Sequence, residues 1–326
     1  PLHELQSESQ VQDVCGRDAG DAYGEVLSLY LLCLKARAGG QAVRELELAC
    51  TCLKTWVQRY IEAEGTGLWM TPVMTFLSAM ARRTAAQLDQ AKKSEANSDA
   101  YLKKLVEIHR ELFQKLNKER TKRAGYIWVC CELLRAYFKL GQISQCSFLL
   151  TAVTQALNKD GFNPVDLPKA ISVTFYFYWG KHCVFDHNLR DADERLSWAF
   201  NHCPPQSKEN RRKILLYLVP CKLRLGVLPT QALLQMYDLT MFIDIVRAIR
   251  EGNVKLFTER MEEHSADFIK MGTYLLMMKL KFTVLRNLCK SVHREAGRRA
   301  GGSAAAHKLD LAPFEHVFAW QDGCDV

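Results

Sequence analysis

The chain has 326 residues, 48% of them hydrophobic and 25% charged, a globular balance that excludes disorder throughout and gives enough length for one large domain or two smaller ones. Lys and Arg number 44 against 36 Asp and Glu, a formal charge of +8 that suits an anionic partner without naming one. Eight cations and a single acid, Glu295, lie between Lys270 and Arg299, so +7 of the +8 sits in that window.

The most apolar early stretch, Val26 to Leu34, stops at Lys35, well short of the roughly 20 apolar residues that span a bilayer. A soluble chain with no membrane partner is expected. Pro1 stands where a start Met would, and no charged start, apolar core and small-residue cleavage site follow it. The expectation is therefore no signal peptide and a native N-terminus upstream of Pro1. Twelve cysteines, at 15, 33, 50, 52, 130, 131, 146, 183, 203, 221, 289 and 324, sit mostly within apolar helical patterns and not in the spacing of a secreted framework, which points to a reducing, intracellular compartment.

Residues 1–20 are polar and aperiodic and read as a loose N-terminal tail. From there, apolar residues recur at three- and four-residue spacing over 21–38, 41–63, 68–93, 98–118, 121–140, 142–157, 167–186, 189–203 and 208–225, with breaks at Gly39-Gly40, Glu64-Gly65, Gly141, Gly161 and Pro204-Pro205. The aromatic run Phe175 to Trp179 has strand-like composition, but Ala192, Leu196 and Ala199 downstream extend a helix-pair pattern through it, so it is predicted as helix. After Gly226 the predicted helices shorten to Thr230–Tyr237, Thr240–Arg250 and Val254–Glu263, then one from Ala266 to about Val292. Gly297 to Ala306 reads as a flexible connection, and Leu309 to Trp320 as an amphipathic helix.

Two helix pairs fit the tetratricopeptide template, a hairpin of about 34 residues with small residues where the helices touch. Tyr176, Trp179, Gly180 and Cys183, followed by Ala192, Leu196, Ala199 and Pro204, follow its order. Cys130, Leu133, Leu134 and Tyr137, followed by Cys146, Leu150 and Val153, fit less closely. The expected fold is all-α: a TPR-like helical-repeat arm over 21–205 and a C-terminal region over 206–326. Stacked hairpins of this kind bury a continuous core and leave an extended surface for partners.

Catalytic signatures are missing: there is no GxSxG, HExxH, Walker loop or GxGxxG. Cys50-Thr51-Cys52 and Cys130-Cys131 are too close for a zinc pair. Cys183 with His187 one turn away, joined by His182, reads as core before it reads as metal site. No catalytic residue, cofactor or metal is expected. Core packing is likewise the first reading of the aromatics 175–179. The basic window is different. Lys279, Lys281, Arg286, Lys290 and Arg294 flank Leu280, Leu285 and Leu288, and Arg298 and Arg299 follow, which places much of the charge opposite an apolar side. A second group, Lys208, Arg211, Arg212 and Lys213, follows Pro204-Pro205. Such rows neutralise phosphates with little sequence preference, and these eleven cations are the candidate nucleic-acid contacts, for weak and non-specific binding of RNA or DNA.

The segment Ala248-Ile249-Arg250-Glu251-Gly252-Asn253-Val254, with Phe257, Phe268, Gly272, Leu275-Leu276, Lys279-Leu280 and Arg286-Asn287-Leu288, resembles the core of the PCI domain, the module shared by the proteasome lid, the signalosome and a translation initiation factor. Phe185-Asp186, Ala192, Leu196-Ser197, Ala199-Phe200, His202-Cys203, Asn210, Leu216-Tyr217-Leu218, Pro220, Lys222, Leu225-Gly226 and Pro229-Thr230 narrow the resemblance to the PCI-containing subunit of the nuclear mRNA-export complex TREX-2, with a fungal signalosome-type subunit as the related group. It is strongest over about 121–290 and weaker upstream, where Leu68-Trp69 and Pro72-Val73-Met74 still fit.

The resemblance implies a non-catalytic scaffold in the nucleus, including the nuclear pore, and also in the cytoplasm. Its implied partners are a large PCI-containing scaffold subunit and a small acidic disordered subunit shared with the proteasome lid. It also implies a C-terminal winged helix. That element is expected to be incomplete because the family continues past Leu309–Phe318 with another helix and a β-wing, leaving Leu311, Phe314 and Phe318 as candidate interface residues. The family favours an apolar helix where this sequence has Arg294 to Ala306. The alternative implied function is a regulatory subunit of a signalosome- or proteasome-lid-like assembly with no nucleic-acid role.

Overall fold

A computed structural model describes residues 8–92, 99–299 and 311–321, and among these the regular secondary structure is all helical, with no strand. The chain divides into two compact units, residues 1–178 and 179–326. No helix among the described residues is long and apolar enough to cross a membrane.

In the first unit the helices are α1 (Glu8–Ala38), α2 (Ala42–Glu62), α3 (Thr71–Ala91), α4 (Ala100–Asn117), α5 (Arg123–Lys139) and α6 (Ile143–Asp160). Each packs on the next, while α2 also meets α4 and α3 meets α5, the neighbour pattern of stacked hairpins. The upstream repeat frame is the α5/α6 pair, with Cys130, Leu133, Leu134, Tyr137, Cys146, Leu150 and Val153 all buried. The loose tail expected over residues 1–20 is corrected from Glu8 onward. The backbone turns at Gly20 (φ 67, ψ 164) inside α1, and Val11 and Cys15 pack with Leu32. Leu31 of α1 and Leu48 of α2 pack against the same cluster.

Several polar groups buried in this unit are paired across long sequence separations. The Lys122 ammonium donates to the carbonyls of Ala63 (2.6 Å) and Gly65 (2.9 Å), just past the end of α2, and lies 5.1 Å from the centre of the Tyr60 ring. Burial lowers its pKa. The Tyr60 hydroxyl accepts from the Gly125 amide at 3.2 Å. Arg123 holds Asp160 through Nε at 2.7 Å and through a second contact from Nη2. The buried Glu132 carboxylate bridges Arg82 and Arg135, and Arg135 Nε also donates to the Tyr178 hydroxyl at 2.8 Å.

Helix α7 (Lys169–Phe185) spans the division between the units, so the Phe175–Trp179 run is helical as expected. The second unit continues with α8 (Leu189–His202), α9 (Lys208–Arg224), α10 (Gln231–Met236), α11 (Ile243–Glu251), α12 (Val254–Glu263), α13 (Ser265–Met271), α14 (Tyr274–Met278), α15 (Lys281–Arg299) and α16 (Ala312–Gln321). Because α8 packs on α9, the compact units do not part at the expected 205/206 position. The template's small residue sits where α7 meets α8: a Cβ on Gly180 would lie 2.7 Å from Leu196 Cγ, and Ala192, Leu196 and Ala199 are fully buried. The single helix expected from Ala266 to Val292 is three helices. Gly272 (φ 73) ends α13, and a further break at Lys279-Leu280 separates α14 from α15 while Leu276, Met277 and Leu280 remain buried. Apolar spacing thus persists through both breaks.

Candidate nucleic-acid interface

The basic window is presented by α15, and its position is set by α11. Asn253 accepts from the Leu256 amide at 2.9 Å and caps α12, a preferred N-cap role. Gly252 before it takes φ 77 at the end of α11. There the α15 backbone passes so close that a Cβ on Gly252 would lie 2.5 Å from Leu288 N and 2.6 Å from Leu288 Cα. Asn287 Nδ2 donates to the Ile249 carbonyl at 2.7 Å, pairing an acceptor in the last turn of α11. Leu280, Val284 and Leu288 complete the buried side with Ile249, Val254 and Phe257. The motif Ile249…Gly252-Asn253-Val254…Asn287-Leu288 is therefore the joint that fixes α15.

The other side of α15 carries the charge. Lys279, just before the helix, and Lys281, Arg286, Lys290, Arg294 and Arg298 within it are all exposed. The first five have no ion-pair partner among the described residues, while Arg298 lies 3.7 Å from Glu295. Arg299 closes the helix. Arg286, Lys290, Arg294 and Arg298 follow one another at four-residue steps of about 6 Å, a single stripe along one face. One step before Arg286 on the same stripe is Phe282, 73% exposed. Periodicity aimed at the apolar face passes over it, although its four-residue spacing from Arg286 is readable in the sequence.

Two of the four cations in the second basic group, Arg211 and Arg212, are occupied in holding the fold. Arg211 donates to the Cys203 carbonyl through Nε (2.9 Å) and Nη2 (2.8 Å) and to the Tyr237 hydroxyl (3.1 Å), with its guanidinium 4.9 Å from the Phe200 ring centre. It thereby satisfies the end of α8. Arg212 reaches the Asp238 carbonyl and carboxylate. Lys208 and Lys213 remain exposed. Of the candidate interface residues, Leu311 is 67% exposed, Phe314 and Phe318 are half-buried, and α16 packs on α15.

Cys183 lies buried beside α8, where desolvation raises its thiol to about 11, so it holds its proton at neutral pH and is a poor nucleophile. Among the described residues no three His, Cys, Asp or Glu side chains form a metal-sized cluster.

Stacked helical hairpins followed by a helix docked through a glycine-asparagine joint, with a cationic outer face, define a PCI-type helical scaffold. No family model matches the chain. It is 30% identical over 305 residues to enhanced ethylene response protein 5 of Arabidopsis thaliana, covering 94% of this chain and 72% of that one. It is 30% identical over 290 residues to PCI domain-containing protein 2 of Xenopus laevis, covering 86% and 71%, and 39% identical over 198 residues to the Drosophila melanogaster homologue of that protein, covering 61% and 47%. The chain belongs to the family of PCI domain-containing protein 2 and its homologues.

Proposed function

We propose that this chain is a non-catalytic scaffold subunit of a nuclear, transcription-coupled mRNA-export complex of the TREX-2 kind. In this reading it binds a large PCI-containing scaffold subunit and a small acidic subunit, and contributes the outer face of α15 to RNA or DNA. The observation that carries the nucleic-acid part is the stripe itself: exposed cations in register, headed by an exposed aromatic ring, on a helix whose opposite face is locked to α11. Cations at such spacing bind phosphates without reading bases, and an exposed ring beside them adds a stacking platform for an unpaired base.

The test has two readouts. Single-stranded RNA should bind weakly with little sequence preference, its log affinity falling with log salt by about 0.7 per phosphate neutralised. Replacing Lys279, Lys281, Arg286 and Lys290 together by Glu should flatten that slope by up to about 3 while leaving the helical content unchanged. Phe282→Ala should weaken binding by about 1–3 kcal/mol and leave the slope alone. A folded quadruple variant with wild-type RNA affinity removes these residues from any nucleic-acid site. Affinity purification from nuclei supplies the second readout. Co-purified mRNA-export factors support the reading, whereas recovery of signalosome or proteasome-lid subunits alone overturns it.

A further inference from the structure

Aromatic residues of the first unit gather on one open face. Tyr23, Leu27 and Tyr30 follow one another along α1, Val73 and Phe76 along α3, and between them runs a groove of about 530 Å³ with the buried Trp56 at its base. Every side chain lining it is apolar or aromatic. Tyr30 and Phe76 meet across it with ring centres 5.9 Å apart. At one end stands Trp69, 64% exposed, in edge contact with Tyr23 at 6.3 Å and Trp56 at 6.5 Å. The turn that carries it is fixed: Trp56 Nε1 donates to the Met70 carbonyl at 3.1 Å, and Thr71 Oγ1 to the Leu68 carbonyl at 2.7 Å.

Aromatic side chains offer about 150–250 Å² each, so at their exposures Trp69, Phe76 and Tyr23 leave about 300 Å² of ring surface open, and Leu27 and Val73 bring the apolar patch to about 400 Å². Patches of this size are commonly interaction sites. Because interfaces are about 56–65% apolar, a face built around this patch reaches roughly 600–700 Å² per partner, close to the ~800 Å² that each side gives to a standard interface.

The chemistry of the face selects a second copy of the same chain as its occupant. It carries both halves of one contact, a ring on a fixed turn and a groove that can take a ring. The Trp69 indole N–H and the hydroxyls of Tyr23 and Tyr30 have no hydrogen-bond partner among the described residues, so the projecting ring brings a spare donor and the groove spare acceptors. The charges at the two ends are complementary as well. Glu64, at the Trp69 end, and Arg83, about two turns beyond Phe76 on the same side of α3, are exposed and have no ion-pair partner among the described residues. Two identical faces laid antiparallel bring each glutamate to the arginine of the other copy. A partner of one charge sign would match only one end.

We propose that two copies of this chain pair through the α1/α3 groove about a two-fold axis, each inserting Trp69 into the groove of the other. The contact is made twice, as an isologous interface requires, and the stripe on α15 takes no part in it.

Sedimentation velocity on the full chain over about 1–100 µM should show a reversible shift from one chain to two, with a micromolar midpoint of the kind an interface at the small end of the standard range gives. Trp69→Ala should weaken pairing at least tenfold with an unchanged melting curve, since the ring is mostly exposed. Phe76→Glu, which places a charge in the groove, should weaken it as much. An equal mixture of these two variants should regain part of the pairing, because the Phe76→Glu copy still offers Trp69 and the Trp69→Ala copy still offers a groove. Salt at about 0.5 M should change wild-type pairing by no more than a few-fold, and the quadruple Glu variant of Lys279, Lys281, Arg286 and Lys290 should pair normally. A wild-type chain that stays single throughout, pairing that survives Trp69→Ala, or a mixture no better than its separate components overturns the proposal. Loss of pairing at high salt or in the quadruple variant overturns it too, by assigning the contact to the cationic stripe. If Phe76→Glu fails to fold, Leu27→Glu on the opposite wall takes its place in the mixture.

Discussion

Gly252→Ala tests whether the α11/α15 joint, and not charge alone, makes the cationic face. The residue sits at φ 77, where an L side chain costs about 1–2 kcal/mol. The new Cβ would also lie 2.5 Å from Leu288 N and 2.6 Å from Leu288 Cα. Those are main-chain atoms of a helix, which no rotamer change moves aside, and forced overpacking of this sort adds about 1–3 kcal/mol. A total of about 3 kcal/mol corresponds to a fall in melting temperature of roughly 6–12 °C for a unit of this size. Relief requires α15 to move off α11, which also breaks the bond from Asn287 to Ile249. Gly226→Ala is the matched control: it has the same sign of φ at +85 but nothing within 4 Å of the added Cβ, so it pays the conformational term alone, about 1–2 kcal/mol. The assays are thermal melting by circular dichroism and RNA anisotropy at two salt concentrations. Gly252→Ala should melt lower than Gly226→Ala and bind RNA more weakly with the salt slope unchanged, since every cation is still present. Equal melting of the two variants would refute the close approach as the determinant. A flattened slope would refute the separation of position from charge.

Other consequences are accessible in the first unit. Lys122→Met leaves the Ala63 and Gly65 carbonyls without their charged donor and should destabilise the chain by about 3 kcal/mol in urea unfolding; a change under 0.5 kcal/mol would show that those carbonyls do not depend on it. Burial lowers the pKa of His109 against the opposing pull of Glu132 and its bond to Leu105, with Arg82 reinforcing the shift. Below about pH 6.5 the unfolded chain then holds the proton that the folded chain refuses, so stability is complete above that pH and falls as the pH drops through it. His109→Gln should reduce that slope without removing it, because burial also lowers His182; an unchanged slope would remove His109 from the acid response.

The helix pairs were legible where small and apolar residues recur at fixed offsets. Gly180, Ala192, Leu196 and Ala199 announce the α7/α8 contact because a glycine and two alanines on facing turns have few uses other than close approach. The Gly252-Asn253 pair was legible as part of a family motif, but its physical meaning, a left-handed helix end followed by an N-cap beneath α15, needs the distance to Leu288. The first limb of α1 was not legible. Val11 and Cys15 sit with the exposed Val14 in a polar stretch, and their partner Leu32 lies beyond the turn. The bridge from Glu132 to Arg82 was hidden for a similar reason. Arg82 and Glu132 are 50 residues apart, and each taken alone is an ordinary helix-surface charge. Exposure separates Lys208 and Lys213 from Arg211, which the sequence groups together. Only tertiary structure shows that Arg211 is consumed by Cys203 and Tyr237.

The stripe on α15 runs against what a merely solvated helix face would select. Solvated faces usually alternate sign at four-residue spacing, since an opposite pair stabilises a helix by about 0.2–0.5 kcal/mol and a like pair destabilises it by a similar amount. On α15 the successive pairs Arg286/Lys290, Lys290/Arg294 and Arg294/Arg298 are all alike, an intrinsic cost of about 1 kcal/mol. Glu295 lies beside the stripe and reaches Arg298 at 3.7 Å. The docking of Val284, Asn287 and Leu288 onto α11 holds the helix together in spite of that repulsion. A polyanion removes the repulsion as it binds, so part of the binding energy appears as helix stabilisation. Salt should accordingly act in opposite directions on the two states: it screens the like charges and steadies the free helix while it weakens the complex with RNA. A solvated face with no ligand has only the first of these responses.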